Sequence, residues 1–195
     1  MKEYYDRRAP EYDDWYSGAY YEGAERERFL AEVVRLELVL ADLRPARTLD
    51  VACGTGFLTR HLPGDMTGLD WSERMLNVAR RAAPHASYVR GDALELPFAD
   101  SSFDRVFTGH FYGHLEEPER VRFLDEARRV APELVVADAP VRPDHAPAEW
   151  QQRSVSDGSV WPVYKRFFAP ETLLAELGGG ETLLDSEWFV VVVSP

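Results

Sequence analysis

The chain has 195 residues, of which 45% are hydrophobic and 29% charged, a balance typical of one globular domain with a substantial core. Its formal net charge of −12 would repel a phosphate backbone, so we do not expect nucleic acid as a partner. Cys53 is the only cysteine, which excludes an internal disulfide and a zinc or iron–sulfur centre held by thiolates.

No segment suggests a membrane or a secretory route. The first residues are charged and have no apolar signal core, and no stretch reaches about 18 uninterrupted apolar residues. We therefore expect a cytoplasmic protein that does not bind a membrane.

The N-terminal 47 residues combine an aromatic arm with a helix. Six of the nine tyrosines, together with Trp15, lie within residues 4–21. Between residues 25 and 41, apolar side chains recur at helical spacing from Phe29 to Leu40, which predicts an amphipathic helix that ends before Pro45.

From residue 48 onward, predicted strands alternate with predicted helices. Strands are expected at residues 48–51, 67–70, 87–90, 105–108 and 134–137, and helices from the first glycine loop through residue 62, at 72–83 and at 119–130. This alternation predicts a Rossmann-like, doubly wound α/β fold with a mostly parallel sheet and helices on both faces.

The C-terminal residues break the alternation. Two apolar runs, at residues 182–184 and 188–193, are separated by only a few residues and predict a hairpin. Because the last run is apolar on both faces, we expect it to be inserted antiparallel inside a seven-stranded sheet, away from the edge.

A proline-rich segment connects the sheet core to this hairpin. Four prolines between Pro140 and Pro162 are expected to interrupt any regular structure. Trp150, Trp161 and Tyr164 add aromatic surface, so residues 140–168 are interpreted as a substrate cover or, alternatively, as a plain crossover connection. The single domain thus divides into residues 1–47, a cofactor-binding core at 48–139, this cover, and a helix with the hairpin at 169–195.

A glycine loop follows the first predicted strand. Gly54 and Gly56 can adopt positive φ and let a ligand approach the backbone where ligands bind in open α/β sheets. Asp70 ends the second strand, where its carboxylate can accept hydrogen bonds from a ribose diol. A tight turn without a ligand is the alternative. A dehydrogenase fingerprint is incomplete because Thr59 stands at the third glycine position, and no P-loop follows the turn.

Four segments resemble the class I S-adenosylmethionine-dependent methyltransferases, in particular the small-molecule branch that includes the ubiquinone and menaquinone biosynthesis methyltransferases. The segments are LDVACGTG at 49–56, GLDWS at 68–72, GDALELPF at 91–98 and FDRVFT at 103–108. The resemblance covers about residues 48–139, and Ala52 stands where the family usually has glycine.

The resemblance implies S-adenosylmethionine as cofactor, S-adenosylhomocysteine as its product and a small molecule as methyl acceptor. It implies that Asp50 and the loop at 54–56 face the methionine part, Asp70 the ribose, and Asp92 the adenine amine. The residues implied in cofactor binding are Tyr5, Arg8, Asp50, Ala52, Gly54, Thr55, Gly56, Asp70, Trp71, Met75, Asp92, Ala93, Leu94 and Thr108.

The N-terminal arm resembles the segment that covers the bound cofactor in this branch. Tyrosines offer apolar faces with a polar tip, which suits a lid, and Arg8 or Tyr5 would meet the methionine carboxylate. A tail that merely docks on the sheet is the alternative.

Candidate catalytic groups follow the fourth strand. His110, Tyr112 and His114 lie where the reactive methyl group points in this fold, and each can take a proton from an acceptor. Alternatively, His114 serves cofactor or loop contacts. No base is strictly required, because alignment alone can supply about 7–11 kcal/mol. No metal is expected, since Gly113 disfavours the helix that would pair the two histidines.

Other functions remain open from the sequence. They are a non-methylating enzyme that uses the same cofactor, a dehydrogenase with an imperfect fingerprint, and a cofactor-sensing domain that binds a protein partner. A homodimer is also left open.

Overall fold

The computed structural model describes residues 2–143 and 146–195, which form a seven-stranded sheet, a two-stranded ribbon and surrounding helices. The helices are α1 (Lys2–Arg8), α2 (Gly23–Ala41), α3 (Glu73–Ala82), α4 (Glu117–Val130) and α5 (Pro170–Leu177). The strands are β1 (Ala46–Val51), β2 (Gly64–Asp70), β3 (Ser87–Arg90), β4 (Arg105–Gly109), β5 (Glu133–Asp138), β6 (Ala148–Ser154), β7 (Val160–Arg166), β8 (Glu181–Asp185) and β9 (Val190–Ser194).

The main sheet has the strand order β3-β2-β1-β4-β5-β9-β8. The first five strands in this order are parallel, and β9 pairs antiparallel with both β5 and β8. The predicted mostly parallel sheet with an inserted antiparallel final strand is therefore confirmed. Its physical basis is burial, because Val190, Val191 and Val192 are all fully covered.

Side chains from the two faces of the sheet enter two separate cores. On one face, Val136 and Val192 pack with Phe123 of α4 and Leu173 of α5. On the other face, the neighbouring strand residues pack against α2, whose buried stripe runs from Phe29 to Leu40. Helices thus cover both faces, and the carboxyl ends of the parallel strands are left to form a site.

The prediction of a helix directly after the glycine loop is wrong. Residues 52–62 form turns and a short 3₁₀ segment, Thr59–His61. Only six residues separate Gly56 from Pro63, which is too short a span for a stable α-helix. Thr59 instead donates its hydroxyl to a carboxylate oxygen of Asp50 at 2.6 Å, so this segment is held by a side chain.

The proline-rich segment is also more regular than expected. Strands β6 and β7 pair antiparallel over seven residues each, with Trp150 opposite Tyr164 and Gln152 opposite Pro162. Each strand of a two-stranded ribbon has a free edge, so a proline within it need not remove a ladder hydrogen bond.

The N-terminal arm folds onto this ribbon. Helix α1 continues into a 3₁₀ segment, Ala9–Asp14, and Tyr4 is buried against Val155 and Val163. Ser72, which caps α3, donates its hydroxyl to Asp6 of the arm. The arm therefore bridges the ribbon and the carboxyl edge of the main sheet.

Candidate functional site

A cavity of about 460 Å³ lies at the carboxyl ends of β1, β2 and β4. We call it the first cavity. Among the residues that line it are Tyr5, Tyr12, Ala52, Gly54, Asp70, Trp71, Met75, Asp92, Ala93, Leu94, Gly109, His110, Phe111 and His114.

The turn after β1 forms one wall of the first cavity. Ala52 and Gly54 both have left-handed backbone angles, with φ of +59° and +55°. Such a conformation costs a residue with a side chain about 1–3 kcal/mol, so at Ala52 it is held by the surrounding structure. The amide of Gly54 donates to a carboxylate oxygen of Asp70 at 2.9 Å, which fastens the turn to β2.

Asp70 is fixed at the end of β2. One carboxylate oxygen accepts the Gly54 amide, and the other accepts the Ser72 amide at 2.8 Å. Burial raises the pKa of Asp70, while these two backbone donors oppose the shift. Each oxygen keeps lone-pair capacity beyond one bond, so the carboxylate can accept further hydrogen bonds from a ligand in the cavity.

A second carboxylate and several apolar groups complete this wall. Asp92 follows β3 and accepts the backbone amide of Leu94 at 2.9 Å, which orients its side chain. Met75 and Ala93 are buried beside it, and the indole of Trp71 is 49% exposed at the rim. The first cavity therefore combines two oriented acids with apolar faces.

Five residues predicted to bind cofactor lie outside the first cavity, namely Arg8, Asp50, Thr55, Gly56 and Thr108. Asp50 and Thr55 line a small neighbouring cavity, and burial raises the pKa of Asp50 to about 7. The backbone of Gly56 packs against Ala79 of α3, so that an added Cβ would come within 3.1 Å of it. Thr108 is buried and donates its hydroxyl to the carbonyl of Val51 at 2.8 Å.

A second cavity of about 420 Å³ adjoins the first. Tyr12, His110 and His114 line both cavities and separate them. Arg8 lies in the second cavity and not in the first. The other residues that line the second cavity include Trp15, Tyr16, Tyr20, Tyr21, Arg142, Gln151, Arg153, Lys165, Glu187 and Trp188.

His110 is the most distinctive residue at this boundary. Its backbone is left-handed, with φ of +54°, and its buried Nε2 atom has no hydrogen-bond partner within the described chain. Burial lowers the pKa of His110 to about 4, and Lys165 and Arg153 act in the same direction. The imidazole is therefore neutral at pH 7, and an unpartnered buried nitrogen of this kind is typical of a functional site.

His114 is held in a single tautomer. Its Nδ1 atom lies 2.6 Å from the carbonyl oxygen of Tyr164, and because a carbonyl only accepts, Nδ1 carries the proton. Burial, followed by Lys165 and Arg153, lowers the pKa of His114 well below its usual value. Nε2 then bears the lone pair. The third candidate, Tyr112, lies apart from both cavities, where its hydroxyl donates to Glu176 at 3.1 Å.

A buried ion pair supports the floor of the second cavity. Lys165 of β7 donates to the carboxylate of Asp138, which ends β5 and also accepts the amides of Gly113 and Ala139. Burial alone would raise the pKa of Asp138, but Lys165 and His110 hold it below the usual value. The sequence carried no signal for this pair, because the residues are far apart and β7 was expected to be irregular.

Neither a metal site nor a membrane-spanning helix is found in the part of the chain that the structure describes. Within residues 2–143 and 146–195, no three His, Cys, Asp or Glu side chains are grouped so as to hold a metal ion. None of the helices in the same residues has the length and apolar character needed to cross a membrane.

The strand order, the glycine turn and the acids after β2 and β3 define a Rossmann-like α/β fold of the methyltransferase type. Comparison with known proteins agrees: residues 48–133 match the family described as methyltransferase domain. Residues 48–133 therefore resemble a methyltransferase domain, and the chain is similar to the class I S-adenosylmethionine-dependent methyltransferases, as its motifs predicted.

Curated relatives share part of the chain. Demethylmenaquinone methyltransferase of Thermotoga maritima is 38% identical over 100 residues, which cover 49% of this chain and 42% of that protein. The protein of the same name from Staphylococcus aureus is 35% identical over 133 residues, covering 63% and 54%. The chain thus spans about half the length of the curated relatives it matches.

A solved structure matches nearly the whole fold. The DhpI-SAH complex superposes with a TM-score of 0.76 at 24% sequence identity, covering 99% of this chain and 93% of that one. This likeness confirms the fold class.

Proposed function

We propose that this chain is an S-adenosylmethionine-dependent methyltransferase that acts on a small-molecule acceptor. The observation that carries the proposal is the pair of adjoining cavities, which meet at His110 and His114. One offers oriented acids and apolar faces to a nucleoside, and the other has room for a second molecule. The match of residues 48–133 to a methyltransferase domain and the names of the curated relatives support the same activity.

The first cavity fits the proposed cofactor. Asp70 is positioned to accept hydrogen bonds from a ribose diol, and Asp92 from an exocyclic amine. Trp71, Ala93 and Leu94 supply apolar faces for the adenine ring, with Met75 beneath them. The backbone at Ala52 and Gly54 permits close approach, since side chains there are small or absent.

The remaining predicted residues have supporting roles in this proposal. Asp50, Thr55, Gly56 and Thr108 hold the turn and its neighbouring strands, and Arg8 belongs with the acceptor. The single domain then consists of an arm with a helix at 1–47, a cofactor core at 48–139, a cover at 140–168, and a helix with the C-terminal hairpin at 169–195. We also propose a cytoplasmic location and no nucleic-acid or membrane partner, in keeping with the charge of −12; a homodimer is compatible with this proposal.

The reaction is a displacement at carbon. When bound, S-adenosylmethionine would supply a methyl group on a positively charged sulfur. The acceptor atom would form a bond to the methyl carbon, the carbon–sulfur bond would break, and its electron pair would stay on the sulfur of S-adenosylhomocysteine. The protein orients the acceptor and excludes water with aromatic side chains of the arm. His110, neutral because burial lowers its pKa to about 4, takes the acceptor's proton and releases it to solvent.

The proposal is tested first by binding and then by transfer. Titration calorimetry is expected to detect S-adenosylmethionine and S-adenosylhomocysteine but not NAD. With methyl-labelled S-adenosylmethionine and a small-molecule extract, label is expected in a new low-molecular-weight product. Binding of NAD alone would favour a dehydrogenase, and cofactor binding with no acceptor in any extract would favour a sensing domain.

His110→Ala is expected to lower kcat by about 10²–10⁴-fold while changing the affinity for S-adenosylhomocysteine less than about threefold. The exposed His85→Ala variant is the control and leaves both values unchanged. In the unaltered protein, kcat/KM is expected to stay level through pH 6.5 and to fall only as the pH approaches 4, where His110 becomes protonated. Equal losses of kcat and affinity, or a fall centred at pH 6.5, would contradict a role as base.

The arm is expected to act as a cover for the cofactor. Tyr5 and Tyr12 line the first cavity, with ring centroids 6.4 Å apart. Removing both rings in a Tyr5→Ala, Tyr12→Ala variant is expected to weaken S-adenosylhomocysteine binding by about tenfold or more, as apolar area is lost. Tyr5→Phe keeps the ring and should bind normally. Unchanged affinity in the double variant would show that the arm only docks on the ribbon.

A further inference from the structure

We propose that the methyl acceptor is a small organic acid and that its anionic group binds Arg153 and Arg8 in the second cavity. This inference rests on the proposed methyl transfer and specifies its substrate class. It follows from the basic side chains that the fold gathers around this cavity, from the lack of an acidic partner for Arg8 and Arg153 among the described residues, and from the position of the cavity next to the two histidines.

The second cavity is cationic in an acidic protein. The chain carries a net charge of −12, yet four basic side chains and one acid line this cavity. The acid is Glu187, whose carboxylate oxygen lies 3.8 Å from Nε of Arg28, so Glu187 already has a basic partner. The basic side chains are Arg8, Arg142, Arg153 and Lys165. This local reversal of sign would attract and hold an anion.

Two of these cations have no acidic partner in the fold. Across the described ranges 2–143 and 146–195, no carboxylate lies within 4.0 Å of the guanidinium of Arg8 or Arg153. Arg153 donates from Nε and Nη2 to the amide oxygen of Gln151, at 3.1 and 2.8 Å, and Arg8 lies over the ring of Tyr12. Both are half-buried. A half-buried guanidinium without a carboxylate matches a bidentate oxyanion, such as a carboxylate or phosphonate.

The other two cations, Arg142 and Lys165, differ from these two, and Arg142 already has an interaction partner in the fold. Lys165 is buried and pairs with Asp138, so its charge is already compensated. It therefore supports the cavity floor, and the anion is assigned to the two arginines.

The cationic side of the cavity adjoins the reacting end. Arg153 and Lys165 are both near enough to His110 and His114 to lower the pKa of each ring further, after burial. An acid held by Arg153 thus has its other end within reach of the boundary with the first cavity. The same charges keep the histidines neutral, which is the form that can accept a proton.

The walls fit the body of such an acid. Trp15, Tyr16 and Trp188 line the second cavity with aromatic rings, which favour an apolar or aromatic carbon skeleton. The buried indole Nε1 of Trp188 has no hydrogen-bond partner within the described chain, so a donor is available for a ligand oxygen after a small adjustment.

The test uses the complex of the whole chain with S-adenosylhomocysteine. Benzoate, phenylphosphonate and the neutral benzyl alcohol are titrated into it by calorimetry. Both acids are expected to bind at least about tenfold more tightly than the alcohol, because hydrogen bonds to charged groups are the stronger ones. The two acids together show whether a planar or a tetrahedral oxyanion fits better.

Variants locate the anion. Arg153→Gln and Arg8→Gln are each expected to weaken acid binding by about tenfold and to leave benzyl alcohol and S-adenosylhomocysteine unaffected. Arg81→Gln, on the exposed end of α3, is the matched control and changes nothing. Normal binding of S-adenosylhomocysteine also verifies that each variant is folded.

Three results would overturn the inference. Equal affinity for acids and alcohol would exclude an anionic acceptor. Loss of S-adenosylhomocysteine affinity in Arg153→Gln or Arg8→Gln would assign these cations to the cofactor's own carboxylate. A complete absence of S-adenosylhomocysteine binding in the unaltered chain would refute the proposed methyl transfer itself, whereas binding without preference for acids refutes only the substrate class.

Discussion

Asp70→Ala is expected to weaken S-adenosylhomocysteine binding by about 100-fold, because a hydrogen bond to a charged group contributes about 1.5–3 kcal/mol and the variant removes more than one. Its carboxylate holds the amides of Gly54 and Ser72, at 2.9 and 2.8 Å, and faces the first cavity. The substitution thus removes a ligand contact and loosens the turn that shapes the cavity.

Calorimetric titration measures this effect. Asp70→Asn keeps one oxygen acceptor and is expected to fall between the unaltered protein and Asp70→Ala. Asp125→Asn, which removes an exposed acid of α4, is the control and should bind normally. If Asp70→Ala bound S-adenosylhomocysteine with unaltered affinity, the first cavity would not be the cofactor site.

Asp138→Ala is expected to lower the free energy of unfolding by about 3–5 kcal/mol, which is the usual cost of leaving one partner of a buried ion pair alone. The variant leaves the ammonium of Lys165 without a carboxylate partner. It also removes the hydrogen-bond acceptor of the Gly113 and Ala139 amides. Urea unfolding, monitored by circular dichroism, is expected to show the lower stability as a lower midpoint concentration of urea.

A second variant separates charge from packing. Combining Asp138→Asn with Lys165→Met removes both buried charges of this pair, so the double variant is expected to recover part of the lost free energy of unfolding. Stability that did not differ between Asp138→Ala and this double variant would show that the backbone contacts, and not the ion pair, matter at this position.

The pair also predicts a dependence on pH. The pKa of Asp138 is lower in the folded protein than in the unfolded chain, so folding favours the ionised form. Its contribution to stability is therefore present above about pH 3.9, the unfolded pKa, and is lost as the pH falls towards the lower folded value. The unaltered protein should lose stability over that acid range more steeply than the double variant.

Features that depend on residues close together in the sequence were predictable from the sequence. The alternation of apolar strands and helices predicted the parallel core, and the run at 188–193, apolar on both faces, predicted an antiparallel strand inside the sheet, which the structure places between β5 and β8. Gly54 and Asp70 could be chosen in the same way, because one follows and the other ends a strand at the edge where ligands bind, whereas Asp92 was indicated by the family resemblance.

Other features were decided only by tertiary structure. The segment at 57–62 is held by the hydrogen bond from Thr59 to Asp50, and β6 pairs with β7 although the prolines had argued against regular structure there. The second cavity is the clearest case. Arg8 and Arg153 are distant in the chain and line the same cavity only because the arm packs on the ribbon, so no local pattern could reveal them. Local patterns in the sequence determined the α/β sheet and the glycine turn and acids at its carboxyl edge, whereas long-range packing decided which charges line the second cavity.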